Sequence, residues 1–244
     1  MSRNYKLETE KRVEFIRKTL TDAGVKKIVF GNSGGKDSAL VGILCKLACD
    51  STVGIILPCG VGRSYGEDMS DALAVADQYG IKSRTIDLGK VSQEMRLALG
   101  EAGALTDTAA TNIAPRLRMT ALYAVAASEN ALVAGTGNRS ERHMGYFTKW
   151  GDGAFDFNPI GDLTATEVFE FLEHLKAPRR ILEKAPSAGL FDGQTDEDEM
   201  GVTYKAIDEF LIHGTCCPED AEIIGRYHRS SEHKRRLPMV YTEE

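Results

Sequence analysis

The sequence has no long apolar run. Nowhere in its 244 residues does a stretch approach the roughly 20 apolar residues that a membrane-spanning helix needs. The N-terminal segment, with Arg3, Lys6, Glu8, Glu10, Lys11 and Arg12, also lacks the apolar stretch of a secretory signal. Cysteine is scarce and unpatterned. Cys45, Cys49, Cys59, Cys216 and Cys217 show no C-x-x-C spacing and no even framework, so zinc and disulfide readings find no support and reduced thiols of a cytoplasmic protein are expected. A basic surplus is missing as well. Lys and Arg number 30 against 36 Asp and Glu, a net charge of −6 that disfavours a nucleic-acid binder relying on phosphate neutralisation. No Pro- or Ser-rich linker, internal repeat or low-complexity tract divides the chain, and residues 1–244 are expected to form one domain with a substantial core.

The most informative string is Ser33-Gly34-Gly35-Lys36-Asp37-Ser38, which follows the apolar run Ile28, Val29, Phe30 and precedes a helical stretch at 39–49. A strand running into a Gly-rich turn and a helix start aims backbone N–H groups and the positive end of a helix dipole at one point, which makes an anion site. Gly34 and Gly35 allow close backbone approach, and the hydroxyls of Ser33 and Ser38 add donors. Asp37 would repel phosphates unless a divalent cation lay between, so its presence predicts Mg²⁺. The string is not a Walker A loop, because Phe30 stands at the first Gly position and Asp37 at the Ser/Thr position.

Apolar patterning predicts helices at 5–23, 67–79, 118–128, 164–175, 204–211 and 219–234, and strands at 26–30, 52–57, 83–88 and 131–134. Thr164 with Glu167 forms a capping-box pattern. Strands alternating with helices imply right-handed crossovers and a doubly wound parallel sheet, α/β in class, with flanking helices. In the order three-two-one-four, a topological switch lies between the first and fourth strands, and ligands bind at such crevices. The Ser33–Ser38 loop leaves the first of these strands, and the polar segment Gly135, Thr136, Gly137, Asn138, Arg139, Ser140, Glu141 leaves the fourth.

Ser33–Ser38 resembles the pyrophosphate loop, S-G-G-x-D-S, of the ATP pyrophosphatase superfamily. Further motifs follow in order: Arg116 to Met119, Gly135-Thr136, Phe147 to Gly153, Lys184 to Ala188, Gly201 to Tyr204 and Glu232 to Arg236. Together they are similar to ammonia-dependent NAD synthetases, over most of the chain. The resemblance implies an adenine nucleotide alpha hydrolase-like fold, a homodimer, and amidation of deamido-NAD to NAD with cleavage of ATP to AMP and pyrophosphate. By position it implies that Gly31, Asn32, Ser33, Gly34, Gly35, Lys36, Asp37, Ser38, Thr136 and Ser187 hold ATP, with Asp37 and Glu141 on Mg²⁺. It assigns deamido-NAD to Arg116, Lys149, Asp156, His233 and Lys234, and makes Asp37, Glu141 and Asp156 the catalytic set. Arg and Lys suit two phosphates and a carboxylate, whereas Asp156 suits a ribose hydroxyl or the attacking amine as hydrogen-bond acceptor. No glutaminase domain is expected within 1–244, which implies free ammonia or ammonia from a separate protein.

Water would destroy an acyl adenylate, and 187–200, with Gly189, Gly193 and the acidic run 196–199, reads as a mobile lid over the site. One departure from the family stands out: its Lys after Leu-Thr is Ala165 here, with Arg179, Arg180 or Lys36 as replacement cations. Competing readings are a tRNA-thiolating enzyme of the same superfamily, a non-catalytic ATP-binding module, and a dehydrogenase built on Gly60-x-Gly62-x-x-Tyr65. The dehydrogenase fingerprint wants Gly or Ala where Tyr65 stands.

Overall fold

Short β-rich runs set the centre of the molecule. The computed structural model describes residues 3–60, 65–183 and 195–242. In it β1 (Ile28–Gly31), β2 (Thr52–Ile56), β3 (Lys82–Thr85) and β4 (Leu132–Ala134) pair in parallel in the order β3-β2-β1-β4. Helices α1 (Tyr5–Asp22), α2 (Lys36–Ala48), α3 (Tyr65–Tyr79), α4 (Gly89–Ala102), α5 (Asp107–Thr111) and α6 (Ile113–Glu129) fall before β4. After it come α7 (Arg139–Met144), α8 (Ala165–His174), α9 (Arg179–Leu182), α10 (Asp196–Met200), α11 (Tyr204–His213), α12 (Pro218–Ser230) and α13 (Glu232–Arg235).

Side chains alternate across the sheet and so build two cores. Ile28 and Phe30 face α1, α2, α3 and α8 through Ile16, Leu40, Val75 and Phe171, while Val29, Val53 and Ile55 face Ala126 of α6. Gly42 lets α2 lie close on β1, since a Cβ there would come within 2.6 Å of the Phe30 ring. A third cluster, Met144, Ala165, Met200, Tyr204, Ile207 and Ile224, ties α7 and α8 to the C-terminal helices. Among the described residues, no helix is long and apolar enough to cross a membrane.

The expected strand order is the observed one, and several boundaries move. The helix expected from 39 starts at Lys36, so the Gly-rich turn is tighter than its sequence implies. The strand expected over 83–88 ends at Thr85. Residues 89–117 carry α4, α5 and the first turn of α6, none of them expected; in α4 only Ser92 is buried, and the apolar Val91, Met95 and Leu99 are exposed. The helix expected over 219–234 breaks at Ser231. There the hydroxyl donates back to the Tyr227 carbonyl at 2.6 Å, and the residue packs against Gly145 so closely that a Cβ on the glycine would strike it.

Candidate active site

β1 ends in the turn 32–35, and α2 begins at Lys36 with no side-chain cap on its first N–H groups. Those donors and the positive end of the helix dipole therefore point into the crevice beyond the strands. Gly34 has φ of 78°, and a Cβ on it would run into the carbonyl of Asp68 in α3, so glycine is required on two counts. The Ser33 and Ser38 hydroxyls lie 3.1 Å apart, and Ser38 donates to the Gly35 carbonyl at 3.0 Å. Asn32 is buried and donates to the Ala72 carbonyl at 3.1 Å, bracing the turn against α3.

The second loop arrives from β4. Asn138 caps α7 and forms a capping box with Glu141: its Oδ1 accepts from the Glu141 N–H at 3.0 Å, and Glu141 Oε2 accepts from the Asn138 N–H at 2.9 Å. The remaining amide group of Asn138 donates to Asp37 Oδ1 at 3.0 Å. One fully buried asparagine thus joins the two carboxylates that the family resemblance assigns to a metal. The Lys36 ammonium donates to Asp37 Oδ2 at 2.6 Å and lies over the rings of Phe169 and Tyr204, 5.7 and 5.5 Å from their centroids. Burial alone would lower the lysine pKa, but Asp37, Glu141 and Asp196 outweigh it and hold the group above its ordinary value. Burial, then the charge of Asp37, pushes the Glu141 carboxyl well above the usual range.

Among the described residues, no group of three or more His, Cys, Asp or Glu side chains is assembled for a metal ion. Asp37 and Glu141 do suit Mg²⁺, which takes hard oxygen donors and characteristically only one or two carboxylates beside phosphates and water. Asn138, Phe169, Tyr204 and Asp196 belong to this site, although the sequence reading assigned none of them an ATP, metal or substrate contact. The Asn-x-x-Glu spacing of a capping box could have revealed the first.

The residues assigned to deamido-NAD form a separate string. Arg116 Nε donates to the Lys149 carbonyl at 3.3 Å, Lys149 Nζ to the His233 carbonyl at 2.7 Å, and Lys234 Nζ to the carbonyls of Gly145 and Phe147, each at 2.9 Å. Four side chains scattered from 116 to 234 are therefore brought to one surface between α6, the 145–153 loop and α13. Asp156 stands apart. It accepts from Tyr123 at 3.2 Å and from the Val133 N–H at 2.7 Å, at the edge of β4, and it is exposed. Thr136 lies in the β4–α7 loop, and Ser187 lies outside the described residues with the Lys184 to Ala188 motif.

Of the expected lid, 195–200 are described, and they are not a simple solvated loop. Thr195 caps α10, Met200 is buried, and Asp196 is 3 % exposed and accepts from the Tyr204 hydroxyl at 2.9 Å. A buried hydroxyl partner makes this acid part of the interior. Ala165 is likewise buried in the third cluster, and its N–H donates to Ser140 Oγ at 3.1 Å. The next N–H, of Thr166, donates to the buried Asp208 at 2.8 Å. Of the replacement cations, Arg180 pairs with Asp71 and Arg179 is exposed, whereas Lys36 reaches Phe169, one helical turn beyond Ala165.

A parallel sheet with an uncapped helix start, and two carboxylates bridged by Asn138 at its switch point, define an α/β fold of the pyrophosphate-loop kind. The NAD synthase family model matches residues 8–241. The chain belongs to the NAD synthase family. It is 46% identical over 240 residues to the NH(3)-dependent NAD(+) synthetase of Carboxydothermus hydrogenoformans, covering 97% of this chain and 98% of that one. Among solved structures, the NMN synthetase of Francisella tularensis superposes with a TM-score of 0.93 at 38% identity, over 99% of this chain and 100% of that one. The NH3-dependent NAD synthetase of Campylobacter jejuni gives 0.81 at 27% identity, with the same two coverages of 99% and 100%.

Proposed function

We propose that the protein is a C–N bond-forming ligase that makes NAD from deamido-NAD, ATP and ammonia. The observation that carries this reading is the meeting of the uncapped α2 start with Asp37, Asn138 and Glu141 at the switch point. The nicotinate carboxylate attacks the α-phosphorus of ATP, forming a C–O–P link while the bond to the β-phosphate breaks and pyrophosphate departs. Ammonia then adds to the activated carbonyl, loses a proton, and expels AMP.

The chain's own groups divide the work. The turn formed by Gly31, Asn32, Gly34 and Gly35 brings the first N–H groups of α2, with Ser33, Lys36 and Ser38, to the phosphates, where charge develops on the leaving group. Thr136 approaches from the opposite loop, and Ser187 is retained as an ATP contact. Asp37 and Glu141 would hold Mg²⁺, which when bound supplies charge stabilisation to the phosphates. Arg116, Lys149 and Lys234 supply cations for the phosphates and carboxylate of deamido-NAD, and His233 lies beside them as a further contact. Asp156 accepts from a ribose hydroxyl or from the amine. Five free cysteines suit a cytoplasmic protein, and ammonia comes free or from a separate donor protein. A homodimer is supported by α4, where Val91, Met95 and Leu99 form an i, i+4, i+8 stripe that is 49%, 41% and 38% exposed.

The relatives favour this reading over a thiolating enzyme or a non-catalytic module. A second reading keeps the chemistry and shortens the substrate: the close superposition on an NMN synthetase favours the nicotinate mononucleotide as acceptor. The test incubates the protein with ATP, Mg²⁺ and ammonium plus either acceptor, its carboxylate oxygen isotopically labelled. Label in AMP, with pyrophosphate released, is expected, and the ratio of kcat/KM values decides between acceptors. Release of ADP and inorganic phosphate would overturn both readings.

A further inference from the structure

Beside α7 lies an open pocket of about 400 Å³, lined by Arg3, Arg139, Arg142, His143, Asp162, His228 and Arg235 and by no residue of the 32–38 turn. Its charge balance is uneven. Asp162 pairs with Arg3 and Arg12 at 3.0 Å each, and Arg3 pairs also with Glu167 at 2.6 Å, so these groups neutralise one another. Among the described residues, no carboxylate lies within ion-pair distance of Arg139, Arg142 or Arg235. Arg139 donates to the Leu211 carbonyl at 3.0 Å, and Arg235 is held by the His228 carbonyl at 2.5 Å and Ser231 Oγ at 2.7 Å, with the Arg142 and His143 carbonyls at 3.4 Å. Arg142 is exposed. Between them the His143 and His228 rings stack at 4.1 Å, giving a flat wall, with His228 Nδ1 at 2.9 Å from the His143 carbonyl.

We propose that this pocket is a second anion site, distinct from the α2 turn, which binds a chain of linked phosphates. Three guanidiniums without an ion-paired carboxylate, two from α7 and one from α13 that feels the Glu232 charge at longer range, line the pocket, and the planar guanidinium fork matches phosphate oxygens. The volume lies in the range of small-ligand pockets and is several times that of one phosphate, which favours a di- or triphosphate. A concave pocket on a protein of net charge −6 does not provide the extended basic track that a nucleic acid requires. The assignment rests on this geometry alone and stands whatever reaction the α2 turn performs.

Inorganic tripolyphosphate is the probe, with ADP as a second arm, added to the full chain at low salt with the histidine side chains isotopically labelled. Binding should shift the His228 ring signals saturably, and Arg142→Ala should weaken that binding about tenfold or more while leaving the melting temperature and the KM for ATP unchanged. Arg142→Lys should restore part of it, and added salt should weaken it in parallel. Stronger binding of ADP than of tripolyphosphate would assign the site to a nucleotide, and the reverse order to free polyphosphate. No shift of His228 at millimolar tripolyphosphate, or a shift untouched by Arg142→Ala, would overturn the site.

Discussion

Asn138 is the residue whose replacement tests most directly how the two loops cooperate. Its amide has one possible orientation, because Oδ1 must accept from the Glu141 N–H, which leaves Nδ2 to donate to Asp37. Ser at this position keeps a capping oxygen for α7 but is too short to reach Asp37, so Asn138→Ser removes the bridge and spares the cap. A hydrogen bond to a charged acceptor contributes about 1.5 to 3 kcal/mol. Expressed in positioning of Asp37 for the chemical step, that loss lowers kcat/KM for ATP by roughly 10- to 150-fold. Asn138→Ala loses the cap as well and should cost about 1 kcal/mol more in stability. Asn138→Asp retains shape and cap while setting a carboxylate against Asp37, so it should impair turnover with little loss of α7. The assays are pyrophosphate release and thermal melting. If Asn138→Ser and Asn138→Asp both stayed within twofold of the unaltered protein, the bridge would have no part in aligning the carboxylates.

Gly34→Ala should destabilise the protein by about 2 kcal/mol or more and abolish tight ATP binding, since a left-handed residue gains a Cβ that meets the Asp68 main chain; melting and nucleotide titration check both. Ala165→Lys would drive a lysine into the Met144 and Tyr204 cluster, and a lower melting temperature is expected in place of any gain in kcat/KM. Lys36→Met leaves Asp37, Glu141 and Asp196 without their shared cation, so it should lose about 3 kcal/mol of stability and recover part of it on adding Mg²⁺; equal melting with and without the ion would refute this. Burial, followed by the charges of His228, Arg235 and Arg139, holds His143 down at about 4, against an ordinary value of 6.5. The unfolded chain therefore binds the extra proton, and stability falls as pH drops from about 6.5 towards 4. Screening by solvent limits the effect to about 1 to 2 kcal/mol, and His143→Gln should flatten that limb of a pH-melting series.

The sheet order was legible because β1, β2 and β4 read as apolar runs bounded by turn residues and the crossover rule leaves few ways to connect them, with the polar, largely exposed β3 at the edge. Helix α4 was not legible for the complementary reason. Its apolar stripe, Val91, Met95 and Leu99, faces outward, so the pattern that marks a core helix is detached from the core. The break at Ser231 was hidden as well: it depends on a hydroxyl donating backwards and on Gly145, 86 positions away in the chain, and neither leaves a periodic trace.

The site divides along the same line. Ser33 to Ser38 could be read because a phosphate turn is local, built from consecutive residues whose backbone does the binding. The bond from Asn138 to Asp37 spans 101 positions and depends on β1 lying beside β4, and that from Thr166 to Asp208 spans 42 and depends on α8 packing against α11. The buried polar side chains Asn138, Asp196 and Asp208 would count as liabilities in a composition reading, since an unpaired buried polar group destabilises. Each is paired here, and the pairing runs from Asp208 through Ser140 of α7 to the first turn of α8, so the helix that presents Glu141 is fixed from behind by bonds that take no part in binding substrate. That rigid backing lets a helix of six residues hold a half-buried carboxylate opposite Asp37, a position that helix propensity alone would not maintain in so short a segment.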